Sequence, residues 1–205
     1  PRIRESRDAV ALTGEGGLRL DYDGLVVAGV FEKLDFQAAP GERILVVGPP
    51  GSGKSLLLAL AARLRDPDSG EIRLDGIPVR RVELESLHSA VQLVSADLPL
   101  FRGTLGENLA YGSPDEDVAW IETVAEACGL SRDPALAESG LDTRVDEQGA
   151  NLSQRLRQRV LLARAIAMKP RLLLVDEPGL HSDEESIETL ERGLDLLGAT
   201  ALIVG

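Results

Sequence analysis

A glycine-rich segment that ends in a lysine and a serine carries the clearest chemistry in this sequence. It fits the pattern G-x-x-x-x-G-K-[ST], and its residues are Gly48, Pro49, Pro50, Gly51, Ser52, Gly53, Lys54 and Ser55. Glycines let the backbone curl until successive N–H groups face one side, and a helix that follows adds its positive end. The Lys54 ammonium can reach the outer phosphates of a nucleotide, and the Ser55 hydroxyl can ligate Mg²⁺. The segment therefore predicts a phosphate-binding loop.

Two adjacent acidic residues stand at the end of a second apolar stretch. Asp176 and Glu177 directly follow "LLLV" (172–175). A carboxylate at the tip of a buried strand is the expected partner of the loop serine around Mg²⁺, so Asp176 is predicted to complete a metal site with Ser55. Glu177 is placed to polarise an attacking water, while a helix cap is the simpler role for either acid. Loop and acids together predict binding of a nucleoside triphosphate with Mg²⁺, followed by hydrolysis.

The elements around these residues alternate between strand and helix. The stretch "ERILVV" (42–47) predicts a buried strand before the loop, and "LLLALAARL" (56–64) predicts a helix after it. The stretch "TALIV" (200–204) predicts a last buried strand. This alternation is typical of an α/β fold with a parallel sheet. Gly and Pro breaks with a helical pattern predict a helical insert at about residues 97–158. The last helix is predicted to bury Ile187, Leu190, Leu194 and Leu197.

Composition and charge narrow the range of partners. The chain has 205 residues, one cysteine and a net charge of −12. Such an acidic surface argues against nucleic acid or anionic lipid as the main partner, because phosphate backbones attract clustered Lys and Arg. The single Cys128 indicates a reducing compartment and is predicted to be a core residue. No stretch approaches the roughly 18 apolar residues of a spanning helix. Since the chain starts at Pro1 and ends at Gly205 after an apolar run, we expect an excised domain.

Other families with such a loop have features that this sequence lacks. A GTPase would carry an N-K-x-D motif for guanine, but the only asparagines are Asn108 and Asn151, and neither precedes a lysine. A nucleotide kinase would carry an arginine-rich lid after the helical insert, and none is evident. A soluble phosphate-loop kinase that transfers phosphate to a small acceptor stays open as an alternative to a hydrolase.

Several segments, in order, resemble the nucleotide-binding domain of ABC transporters of the exporter type. The similar segments are "APGERILVVGPPGSGKSLLL" (39–58), "DSGEIRLDG" (68–76), "LFRGTLGENLAYG" (100–112), "TRVDEQGANLS" (143–153) and "RQRVLLARAIAMKPRLLLVDEP" (157–178). The resemblance extends over residues 18–205, and it is specific because the motifs occur as an ordered set.

The resemblance implies a fold and a set of ligands. The fold is a P-loop NTPase (RecA-like) core with an antiparallel β-subdomain and the inserted helical subdomain, all within one domain of residues 1–205. The implied ligands are ATP and Mg²⁺, with the segment from Gly48 to Leu56 around the phosphates. Tyr22, 26 residues before Gly48, matches the aromatic residue that stacks on adenine in the family. Lys54 and Glu177 are the implied catalytic residues.

The resemblance also implies an assembly. In the family, two such domains enclose two ATP molecules at the cytoplasmic face of the cell membrane, and hydrolysis drives export through a transmembrane domain, here expected to be fused in the parent chain. In the family, certain residues of one domain face the ATP bound by the other domain. The matching residues in this sequence are Leu152, Ser153 and Asp183. The isolated chain is expected to be a slow ATPase, because it stops before the family's switch histidine and needs a partner.

The sequence departs from the family at the Q-loop, at the signature and at the D-loop, where only Asp183 of "GLHSD" (179–183) matches. Ala96 occupies the position of the Q-loop glutamine, and Gln92 lies four residues too early. The signature LSGGQ is replaced by "LSQRL" (152–156), so Gln154 and Arg155 add bulk where glycines allow close approach. One alternative is therefore a degenerate partner that binds but hardly hydrolyses ATP and regulates a heterodimer. A further hypothesis has Arg155 replacing the lost backbone amides by its charge.

Overall fold

The computed structural model describes residues 5–113, 117–176, 179 and 183–205. The chain divides into two compact units. The first comprises Pro1–Leu93, Pro170–Asp176 and Gly198–Gly205, and the second comprises Val94–Lys169 and Glu177–Leu197. The second unit is thus larger than the insert expected at about residues 97–158. It also contains residues 159–169 and 177–197, on either side of the segment Pro170–Asp176 that belongs to the first unit.

The described residues include both strands and helices. The strands are β1 (Leu20–Val27), β2 (Phe31–Ala38), β3 (Arg43–Val46), β4 (Ser69–Leu74), β5 (Ile77–Pro78), β6 (Val91–Ser95), β7 (Gly103–Thr104), β8 (Arg144–Val145), β9 (Leu172–Asp176) and β10 (Thr200–Val204). The helices are α1 (Lys54–Ala61), α2 (Leu84–Ala90), α3 (Leu105–Ala110), α4 (Val118–Ala127), α5 (Gln154–Ala167) and α6 (Glu184–Leu197). Within the part of the chain that the structure describes, no helix has both the length and the apolar composition needed to cross a bilayer.

The first unit contains a parallel sheet in the order β3-β10-β9-β6. In this sheet Leu202 of β10 lies opposite Ile44 on one side and Leu174 on the other. Residues 172–175 of β9 are fully buried, which explains why this strand is a continuous apolar run rather than an alternating one. The carboxyl ends of parallel strands meet at one edge, so the sheet brings the end of β3 and the end of β9 to the same edge.

An antiparallel sheet in the order β2-β1-β4-β5 belongs to the same unit. Tyr22 of β1 is paired with Phe36 on β2 and with Ile72 on β4. The side chains of both sheets contribute to one apolar core together with α1, whose Leu58 is fully buried. The expected α/β architecture with an antiparallel sheet is confirmed.

The second unit is built on helices α3 to α6, with the short pair β7-β8. Helix α5 continues without a break to Ala167, so the second unit extends beyond residue 158. Helix α6 approaches α5 closely at Gly193, where a Cβ would lie 2.3 Å from Ile166 Cδ1. Cys128 is buried in this unit as predicted, and desolvation raises the pKa of its thiol to about 12.

The buried face of α6 differs from the prediction. Ile187 is 45% exposed and Leu197 is only half-buried, while Leu190 and Leu194 are buried as expected. The buried residues are Ser186, Thr189, Leu190, Gly193 and Leu194. Small side chains at three of these positions allow the close contact with α5, and this contact turns Ile187 toward solvent.

Thr200→Val is expected to lower the free energy of unfolding by about 1–3 kcal/mol. Thr200 is fully buried at the start of β10, where its hydroxyl donates to Leu18 O at 2.6 Å and accepts from the Gly41 N–H at 2.9 Å. Valine keeps the shape but leaves both backbone groups without this partner. Urea denaturation measures the change.

In the control Thr123→Val, an exposed hydroxyl that donates to Ala119 O is removed, and a change below about 0.5 kcal/mol in the free energy of unfolding is expected. Equal losses in both variants would contradict the prediction.

Candidate functional site

The glycine-rich segment forms the loop between β3 and α1. Gly51 and Gly53 have φ angles of 80° and 92°, in the left-handed region that favours glycine. At Gly53, which precedes the first residue of α1, a Cβ would lie 2.3 Å from Val30 Cγ1 and 2.9 Å from Phe31 Cζ. Backbone angle and space therefore both require glycine at this position.

The loop is open to solvent at the positive end of a helix. Helix α1 begins at Lys54, and the first N–H groups of a helix have no acceptor within it. The preceding residues 48–52 are exposed, and Leu56 is half-buried on the side of the core. Exposed backbone donors at a helix N-terminus can bind an anion such as a phosphate.

Lys54 reaches back over the loop. Its Nζ donates to the backbone carbonyls of Gly48 at 2.7 Å and Pro49 at 3.1 Å. These two bonds use two of the three donors of the ammonium, and the third is left for another acceptor. The lysine thus places a positive charge directly at the loop.

Ser55 and Asp176 come together at the edge of the sheet. Ser55 Oγ donates to Asp176 Oδ1 at 3.0 Å, and Asp176 is the last residue of β9. A hydroxyl beside a carboxylate fits Mg²⁺, which binds through one or two carboxylates and takes its other ligands from substrate phosphates and water. Among the described residues, no group of three or more His, Cys, Asp or Glu side chains could hold a metal. The pair therefore fits a Mg²⁺ ion that arrives with a phosphate.

Tyr22 is placed differently from the expectation. Its side chain is 1% exposed, its hydroxyl donates to Leu57 O at 2.9 Å, and its ring packs against Phe36 with centroids 5.9 Å apart. Burial also raises the pKa of the phenol. A ring enclosed in this way offers no face to a base, so the expected stacking on adenine is corrected: Tyr22 anchors β1 to α1 in the core.

Two side chains near the loop were not singled out from the sequence. Val30, which directly precedes β2, and Phe31, the first residue of β2, provide the atoms nearest to a Cβ built on Gly53. Val30 is 41% exposed. Their place beside the loop depends on the packing of β2 against the end of the loop, and no local motif indicates it.

Glu177 lies outside the described residues. It follows Asp176 directly in the sequence, and Asp176 is the last residue of β9. Its expected role as the base rests on this position in the sequence.

The residues that replace the signature lie at the start of α5. Ser153 caps this helix, because its Oγ accepts a hydrogen bond from the Leu156 N–H at 3.2 Å. Leu152 is half-buried, whereas Ser153, Gln154 and Arg155 are exposed. The bulk predicted in place of the two glycines is therefore present at the surface of the first turn.

Asp183 caps α6. Its Oδ1 accepts from the Ser186 N–H at 2.9 Å, and hydrogen bonds from Ser186 are the main reason why the pKa of Asp183 is lowered. The same oxygen accepts from Arg155 Nη2 at 3.0 Å. The second unit thus brings together Asp183 and the altered signature, two segments that the sequence separates.

Arg157 holds the segment around Ala96, which occupies the position of the expected Q-loop glutamine. Arg157 Nη2 donates to Ala96 O at 2.9 Å and to Leu98 O at 3.3 Å. Gln92 donates its side-chain amide to His88 O and is occupied locally. Arg157 was not singled out from the sequence, since its acceptors are backbone carbonyls about sixty residues away.

Comparison with known proteins gives one family. The family model described as "ABC transporter" matches residues 31–179, which is more than half of the chain.

Similar proteins carry names of exporters. A multidrug efflux ATP-binding/permease protein of Mycobacterium bovis is 43% identical over 160 residues, which cover 78% of this chain and 13% of that protein. An ATP-dependent lipid A-core flippase of Thiobacillus denitrificans is 37% identical over 199 residues, which cover 93% of this chain and 34% of the flippase. The chain thus spans 13% to 34% of the length of these two relatives.

A solved structure shares the fold over nearly the whole chain. A bacterial Atm1-family ABC exporter with ATP bound matches with a TM-score of 0.88 and 30% sequence identity. The match covers 99% of this chain and 36% of the exporter chain.

Proposed function

Since the chain belongs to the ABC transporter family, we propose that it is the ATP-binding domain of an exporter, which binds ATP with Mg²⁺ and hydrolyses it. The observation that carries this proposal is the 3.0 Å hydrogen bond between Ser55 Oγ and Asp176 Oδ1. It brings the end of the phosphate loop to an acidic strand tip 121 residues away, and this is the pair that a Mg²⁺-bound triphosphate requires. The family match gives no support to the alternative of a soluble kinase.

The roles of the chain's own residues follow from this geometry. The loop amides and the Lys54 ammonium hold the β- and γ-phosphate oxygens, and the lysine neutralises charge that develops during transfer. Ser55 and Asp176 would hold Mg²⁺, which when bound neutralises phosphate charge. Glu177 orients the water for in-line attack and accepts its proton. Because Tyr22 is buried and cannot stack on adenine, we assign the surface that contacts the adenine ring to Val30 and Phe31.

The proposed assembly is a sandwich of two such domains below a transmembrane domain, at the cytoplasmic face of the cell membrane. The names of the relatives support export, and their greater lengths leave room for the transmembrane part. In the sandwich, Leu152, Ser153 and Asp183 of this chain would face the partner's ATP. The exposed cap of α5 by Ser153 supports this, because a helix N-terminus favours an anion.

A second candidate is a degenerate partner that binds ATP, hardly hydrolyses it, and regulates a heterodimer. Two observations favour it: Ala96 brings no polar side chain to the position of the expected glutamine, and Gln154 and Arg155 are exposed where glycines would allow close approach. The rate of phosphate release by the full-length transporter separates the two candidates. A rate at the level of an ATP-free control would favour the degenerate partner.

Asp176→Asn is expected to abolish the dependence of ATP binding on Mg²⁺. An amide cannot supply the charge of the carboxylate, so the gain in affinity from Mg²⁺, about tenfold or more in the parent chain, should fall to near one. Calorimetric titration with ATP, in Mg²⁺ and in EDTA, measures both values. The control Asp142→Asn changes an exposed carboxylate in the second unit and should retain the parent's dependence. If Asp176→Asn binds ATP with the full gain from Mg²⁺, Asp176 is not a metal ligand.

A further inference from the structure

Arg155 stands where the family signature has a glycine, and the structure gives it two acidic partners in its own chain. Its Nη2 donates to Asp183 Oδ1 at 3.0 Å and to Glu185 Oε2 at 2.8 Å. We propose that Arg155 is a positioning residue: it ties the signature segment to the first turn of α6, and so holds Asp183 in place. It does not bind a phosphate of the partner's ATP.

The charges at the two helix ends explain why this contact forms. Arg155 lies in the first turn of α5, where a cation opposes the helix dipole and where no acidic residue is present. The first turn of α6 carries Glu184 and Glu185, where acids are favourable. The carboxylates of α6 therefore offset the unfavourable position of Arg155.

A second arginine, Arg159, holds the Glu185 carboxylate that accepts the hydrogen bond from Arg155. Arg159, one turn further along α5, donates from Nη2 to Glu185 Oε1, and its side chain is 7% exposed. Glu185 thus uses both carboxylate oxygens to bridge two arginines, and the pKa of Glu185 is lowered mainly by Arg159. Because Arg159 is buried, the carboxylate that receives Arg155 is already held in place.

The same contacts leave little attraction for an anion. Both hydrogens of Arg155 Nη2 are directed to carboxylates. The hollow around this guanidinium is lined by four acidic side chains, those of Asp183, Glu184, Glu185 and Glu188. A phosphate inside this hollow would meet more negative than positive charge, so the hypothesis that the Arg155 guanidinium replaces the lost amides is not favoured, whereas the backbone N–H groups beside Ser153 lie outside this argument.

The effect on hydrolysis rests on the proposed function, whereas the contact itself does not. Asp183 is the matching residue that would lie at the sandwich interface. By fixing its carboxylate and the start of α6, Arg155 would act on the reaction through Asp183. Removal of Arg155 should then lower the turnover number and leave the affinity for ATP unchanged.

Hydrogen exchange of the 205-residue chain tests the contact without nucleotide. In Arg155→Ala, the amides of residues 186–190 should exchange about two- to fivefold faster than in the parent, as expected for the loss of exposed ion pairs. Arg155→Lys should restore part of the protection. Arg192→Ala, which removes the exposed Arg192–Glu188 pair at 2.7 Å, should leave the start of α6 unchanged. Parent-like exchange in Arg155→Ala, or the same increase in Arg192→Ala, would overturn the proposal.

Steady-state ATPase assays of the full-length transporter test the role in the reaction. Arg155→Ala should lower kcat about two- to fivefold with KM for ATP unchanged, and Arg155→Lys should lie between this variant and the parent. A raised KM at constant kcat would indicate a phosphate contact, and parent values of both would show no role in positioning. A transporter that hydrolyses no ATP would contradict the proposed function, while the exchange experiment would still decide whether Arg155 holds α6.

Discussion

Replacing Lys54 with alanine is expected to weaken ATP binding by the chain about 10- to 100-fold. A hydrogen bond between charged groups contributes about 1.5–3 kcal/mol, and every 1.4 kcal/mol is a tenfold change in affinity. The variant also loses the bonds from Nζ to the carbonyls of Gly48 and Pro49, so the loop is less well organised before the nucleotide arrives. Calorimetric titration with ATP and Mg²⁺ measures the change.

Lys33→Ala is the matched control for this variant. Lys33 has the same charge, and its side chain is 72% exposed beside Asp35. Its removal changes the net charge by the same amount and should change ATP affinity less than about twofold. Thermal unfolding of both variants shows whether the chain still folds. A folded Lys54→Ala variant with the affinity of the parent would remove the phosphate loop as the basis of the proposed function.

The phosphate loop and the strands beside it could be predicted because their requirements are local. Left-handed backbone angles at Gly51 and Gly53 require glycine, so the sequence shows the loop directly. The apolar run of β9 reflects burial on both faces, and the acid that follows marks the edge of the sheet. Patterns of this kind depend on neighbours in the chain, and they led to the α/β fold and to Ser55 and Asp176.

Features that depend on tertiary packing were not predictable in the same way. Tyr22 has the spacing of a base-stacking residue, but its orientation is decided by the core between β1 and α1, where it is 1% exposed. Ile187 has helical spacing with Leu190 and Leu194, but Gly193 lets α6 meet α5 on the adjacent face. Spacing alone gives the period of a pattern, and packing selects the face.

The partners of Arg155 show the same limit. Asp183 and Glu185 lie 28 and 30 residues further along the chain, and only the packing of α6 on α5 brings them to the signature segment. The sequence therefore indicated an arginine where glycine was expected, but it gave no indication of the carboxylates that receive its charge.

Glu177→Gln is expected to lower the rate of ATP hydrolysis by the full-length transporter about 100-fold or more, while ATP binding is retained. General base catalysis contributes about 10²- to 10⁴-fold, and an amide cannot accept the proton of the attacking water. The phosphate loop, Ser55 and Asp176 are untouched by this change, so the triphosphate should still bind with Mg²⁺. Phosphate release measures the rate, and ATP retained by the assembly after gel filtration measures the binding.

Glu122→Gln is the control, because it makes the same change at an exposed position of α4 and should keep the parent rate. If Glu177→Gln hydrolyses ATP at the rate of the parent, Glu177 is not the base, although the phosphate loop would still account for binding. A slow parent that is not slowed further by the variant would favour the degenerate partner. A lower rate of ATP hydrolysis in Glu177→Gln alone, with ATP retained, would show that this chain supplies the base. Orientation of the attacking water would then depend on the Glu177 carboxylate, even though Ala96 replaces the expected glutamine.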